Sequence, residues 1–105
     1  SVDDFAVDFT QALSGLSADD SVLVLADIVG GSPLTTAASV LADMGKLDSA
    51  VILGGLNLTM GLTGLVMKDI LDGKELAQAI LSEATAALQE FEVVSDVADE
   101  DEDDI

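Results

Sequence analysis

The sequence predicts an α/β fold, with a mainly parallel central sheet flanked by helices on both faces. Two short, continuous apolar runs, SVLVLAD (21–27) and SAVILGG (49–55), have the pattern of strands buried on both faces. Segments with apolar residues at helical spacing alternate with them. Strands alternating with amphipathic helices are the signature of a parallel sheet with crossover helices.

The elements follow in order. Residues 2–16 place Val2, Phe5, Ala6, Phe9, Ala12, Leu13 and Leu16 on one helical face, with Asp3 and Asp4 in the first turn, where the helix dipole favours anions. Asp19 and Asp20 mark a turn before the first strand. Ser32 as N-cap and Pro33 at the first helical position open the next helix. Its buried stripe is Leu34, Ala37, Ala38, Leu41 and Met44, and Gly45 ends it. After the second strand, residues 57–71 read as a helix, although Gly61 and Gly64 disfavour one. Asp72 and Glu75 have capping-box spacing at the start of a helix over 74–90. FEVVSDV (91–97) reads as a last, edge strand. One domain thus covers 1–97. Residues 98–105 form an acidic tail, expected to be solvated and disordered because like charges in a block repel.

Composition narrows the function. The 105 residues carry a formal charge of −18, with Lys46, Lys68 and Lys74 as the cations. Nucleic acid and anionic membrane surfaces are poor partners for such a chain, since binding phosphate needs basic residues. The Asp-rich, Lys-poor balance is compatible with adaptation to high salt, where self-repulsion is screened. Without Cys there is neither a disulfide nor a thiolate metal site, which fits the cytoplasm. Without His the commonest acid/base group and metal ligand is missing. No apolar run approaches the roughly 20 residues of a membrane span. No metal site and no cofactor is expected.

In open parallel sheets, ligands bind beyond the carboxyl ends of the strands. The first such end offers Asp27 and the loop Ile28–Pro33, and the second Gly54, Gly55, Leu56 and Asn57. Gly30 and Gly31 permit close backbone approach, and the helix start at Ser32 supplies free amides and a dipole for an anion. Asn57 is placed to donate to the same anion. The plainer alternatives stay open: a ligand-free strand-to-helix connection, a carboxylate that caps a turn, and a turn asparagine.

VLVLADIVGGSPLTTAASVL followed by VILGGLNLTMGL resembles the mannose-family enzyme IIA domain of the bacterial sugar phosphotransferase system. Asp27 and Gly30 to Pro33 match one family motif. Gly55, Asn57, Leu58 and Met60 match a second, in which Thr59 stands where the family has Pro. The resemblance implies a phosphotransferase component. A His at the end of an upstream strand accepts a phosphoryl group from the carrier protein HPr and passes it to enzyme IIB for sugar uptake. Asp27 would orient that His, and Gly30, Gly31, Ser32 and Asn57 would hold the phosphoryl group. No His occurs in these residues, so the resemblance predicts an N-terminal strand bearing one. It also implies a cytoplasmic homodimer in which the last strand, through Phe91, Val93 and Val94, crosses to the partner subunit. Contact with the membrane would be indirect, through the transporter. Two other readings are a His-less regulatory dimer of the same fold and a receiver-like domain phosphorylated on Asp27.

Overall fold

A computed structural model describes residues 1–95. Four helices and a two-stranded parallel sheet form an α/β fold. Helix α1 spans Val2–Ala12, and its first turn is capped by Ser1, whose hydroxyl accepts from the Asp4 amide at 3.2 Å. It stops short of the expected residue 16, in turns where the Leu16 amide donates back to Leu13. Strand β1, Leu23–Leu25, pairs in parallel with β2, Val51–Leu53, in the register Leu23 to Val51 and Leu25 to Leu53. Helix α2, Ser32–Asp43, forms the crossover between them. It ends in a left-handed Gly45, with the Lys46 amide donating to Leu41 and the Gly45 amide to Ala42, the pairing of a Schellman motif.

Helix α3 spans Leu58–Met67 and α4 spans Gly73–Ala86. The glycines that disfavour α3 have a packing reason at Gly64. A Cβ there would lie 3.1 Å from a Leu23 methyl, so the missing side chain lets α3 settle on β1. The core lies between the sheet and the α3–α4 pair. Val51, Leu53, Met60, Leu76, Ile80 and Ala84 are buried there, with Leu23 and Leu25 packed against them. Helices α1 and α2 pack on each other, and Ala37, Val40 and Leu41 are the buried residues of α2.

Three local expectations are corrected. Gly31, not Ser32, is the N-cap of α2, so Ser32 is already helical. Asp72 is the N-cap of α4, but its side chain makes no cap hydrogen bond, so the box with Glu75 does not form. The last strand is absent over 91–95. Those residues carry no regular structure, and Phe91, Val93 and Val94 are 88%, 76% and 60% exposed. A strand needs a neighbouring ladder to satisfy its backbone, and no edge of the two-stranded sheet reaches this segment. The rest of that expected strand and the acidic tail lie outside the described residues.

Lys46 is the buried charge that sequence pattern did not single out. It is 8% exposed, and its ammonium donates to the carbonyls of Ser17 and Asp20 at 2.8 and 2.6 Å. It pins the α1–β1 loop to the end of α2. Among the described residues, no helix is long and apolar enough to cross a membrane, and no group of three or more His, Cys, Asp or Glu is arranged to hold a metal ion.

Candidate functional site

The site is built where β1 and β2 end side by side. Backbone bonds tie the two ends together. The Ala26 amide donates to Leu53, the Leu56 amide to Ala26, and the Gly55 amide to the Asp27 carbonyl at 3.2 Å. Gly55 meets this geometry with a φ of +80°, which side chains rarely adopt. Asp27 therefore has a fixed backbone while its carboxylate stands exposed at the strand end.

The loop after Asp27 turns through Gly30, with φ +89°, and enters α2 at Gly31. Glycine at the N-cap offers no side chain, and no side chain caps this helix. The first-turn amides of Ser32 and Leu34 therefore keep their capacity for an outside acceptor; Pro33 has no N–H to give. The Gly31 carbonyl, pointing the other way, takes both the amide and the hydroxyl of Thr35. Ser32 is exposed beside the open amides, where its hydroxyl can reach a bound anion.

Gly54 couples the two loops. A Cβ on it would collide with the Val29 side chain and lie 3.4 Å from the Val29 amide nitrogen. The β2 end can thus lie flush against the loop that carries Gly30 and Gly31. The Gly-Gly pair closing the second apolar run was the sequence signal for this approach, while Val29 as its counterpart had none.

Asn57 is engaged at both ends. Its carbonyl oxygen accepts from the Met60 amide at 2.8 Å, which caps α3, and its amide nitrogen donates to the Ala84 carbonyl at 3.1 Å, near the end of α4. Donation to an anion would use the second hydrogen of that nitrogen. Asp27, Gly30 and Gly31 thus lie on the one connection that leads into Ser32 at the start of α2. Asn57 braces the neighbouring loop.

The chain matches the EIIA-man family, described as the PTS system fructose IIA component, over residues 1–81. It belongs to that family. The fold of this IIA chain is similar to that of phosphotransferase system component EIIA from Streptococcus agalactiae, with a TM-score of 0.72 and 20% identity, covering 87% of this chain and 68% of that one. At that identity the likeness shows the fold alone. No curated protein matches the chain.

Proposed function

We propose that this IIA chain carries the orienting and phosphate-holding half of a phosphoryl carrier. The observation behind the reading is an exposed Asp27 carboxylate on the connection that leads into the uncapped first turn of α2, in a chain of the IIA family. The 105 residues contain no His, so the phosphoryl-bearing imidazole comes from outside them. Asp27 accepts from one ring N–H and leaves the other nitrogen's lone pair free to attack phosphorus. The new N–P bond forms as the N–P bond to the phosphohistidine of HPr breaks. The same step in reverse sense delivers the group to enzyme IIB, for sugar uptake. The Ser32 hydroxyl and the amides of Gly31, Ser32 and Leu34 stabilise the charge of the group in flight, with Asn57 fixing the adjoining loop. These partners work in the cytoplasm and reach the membrane through the transporter.

The test is phosphorylation of the full-length protein by phospho-HPr. An acid-labile, base-stable adduct is expected. Asp27→Asn should slow transfer by up to roughly 10⁴-fold, the cost of losing a carboxylate that fixes the tautomer of a working His. Its unfolding free energy should stay within about 0.5 kcal/mol, as for exposed substitutions generally. An unchanged rate removes the orienting role. An adduct on Asp27 itself from acetyl phosphate points to receiver-like chemistry, and no adduct at all to a regulatory dimer.

The homodimer reading rests on the exposed Phe91, Val93 and Val94, which have no cover among the described residues. Sedimentation of the full-length protein should show a dimer that Val93→Asp weakens. A wild-type monomer at micromolar concentration ends this reading.

A further inference from the structure

The surface charge of this domain is almost entirely of one sign and is not neutralised within the described residues. The sequence holds 21 Asp and Glu against three Lys, with no His. Every Asp and Glu among residues 1–95 is exposed. Lys46 is withdrawn from the surface and spends its donors on carbonyl oxygens rather than carboxylates. Lys68 pairs with its sequence neighbour Asp69 at 3.0 Å, the one ion pair between side chains among the described residues.

The acids are also placed against one another. Asp4 and Asp8 lie one turn apart on α1, a like-charge spacing that destabilises a helix. Asp19, Asp20, Asp69 and Asp72 line one cleft of about 450 Å³ near the start of both strands, with Lys68 its single cation. Side chains one helical turn apart are separated by about 5–6 Å. The Debye length is about 8 Å at 0.15 M salt and about 3 Å at 1 M. Repulsion over such distances therefore survives physiological salt and fades only near molar concentration. Among the described residues, the core opposing it rests on one helix pair and two short strands.

We propose that this domain is built for a medium of molar salt, in which a diffuse atmosphere of monovalent cations screens the acidic surface and holds the native state together. No ion is bound at a fixed site. The cations act through screening, so the effect depends on ionic strength and not on saturation of a stoichiometric site.

The test is thermal unfolding of the full-length protein in KCl from 0.1 to 3 M, beside the triple variant Asp8→Asn, Asp19→Asn, Asp72→Asn. Asp72 makes no side-chain cap hydrogen bond, and asparagine is as well tolerated at an N-cap, so the variant removes charge without breaking a bond. The wild-type Tm should rise by about 10 °C or more between 0.1 and 2 M, with much of the rise above 0.5 M. The variant should melt higher than wild type at 0.1 M, and the two should converge at 2 M. Two results overturn the proposal. One is a wild-type Tm that is flat or falling above 0.5 M. The other is a parallel rise of both proteins, since that reports salting-out of apolar surface instead of charge screening.

Discussion

Helices α4 and α1 carry comparable apolar stripes in sequence, yet they end in different surroundings. On α4, Leu76, Ile80 and Ala84 are buried, and Ile80 is fully enclosed. On α1 no residue is buried: Val2 and Val7 are more than half exposed, and Phe5 and Phe9 stack on each other with ring centroids 5.7 Å apart. Helix α4 has both α3 and β2 to pack against, whereas the main packing of α1 among the described residues is on α2. The same contrast runs through the sheet, where β1 and β2 bond to each other and to no third strand among the described residues. An apolar stripe fixes which face of a helix turns inward. How deeply that face is buried depends on how many neighbours the topology supplies.

The largest expected effect sharpens this contrast. Ile80→Ala should cost about 2–5 kcal/mol, because a fully enclosed side chain leaves a cavity that its neighbours fill only partly. Phe5→Ala, on a face that is partly open, should cost about 1 kcal/mol, mostly its stacking on Phe9. Urea unfolding of the full-length protein compares the two directly. Equal costs would break the comparison, and would mean that α1 is covered in the whole protein by something outside residues 1–95.

The same logic explains what could be read in advance. Both strands and all four helices were legible, because each rests on local pattern: an apolar run or a helical period. Boundaries shifted where a cap decided them, as when Gly31 rather than Ser32 capped α2. The strand over 91–97 was read from a β-rich composition, but composition provides no ladder partner, and residues 91–95 have none. Lys46 was invisible for the opposite reason. A lysine after a helix-ending glycine looks exposed, and only the fold brings the carbonyls of Ser17 and Asp20 within reach of it. Asn57 was assigned to an anion because its partners near α4 lie far along the chain.

Lys46 anchors the α1–β1 loop in the open half, and it yields the next effect in size. Lys46→Met keeps the stem and deletes the ammonium, leaving two carbonyl oxygens without their donor. The cost should be about 1–3 kcal/mol, between those of Ile80→Ala and an ordinary surface change. A loss within about 0.5 kcal/mol would mean that water replaces the ammonium and that the α1–β1 loop is not pinned.

The smallest effect belongs to Asp20, in the same loop. Its carboxylate accepts the Ser17 amide at 2.9 Å. That backbone bond, and then a bond with the Ser17 side chain, hold its pKa below the ordinary value against the opposing effect of desolvation, and the nearby Lys46 charge adds the least. A carboxylate whose pKa falls on folding stabilises the native state fully above its unfolded pKa. The contribution is lost as pH drops through the lowered folded value. Asp20→Asn should therefore leave a flatter stability profile on the acid side of pH 4 and a slightly lower plateau at neutral pH. The side chain is exposed, so the effect on stability is discounted for solvent screening and shrinks with added salt. Asp20→Asn in the Lys46→Met background separates the two contacts. If the charge of Lys46 contributes, the acid-side change on removing Asp20 is smaller there. If the bond to Ser17 acts alone, the change is the same in both backgrounds and Lys46 works on the loop only through its carbonyls.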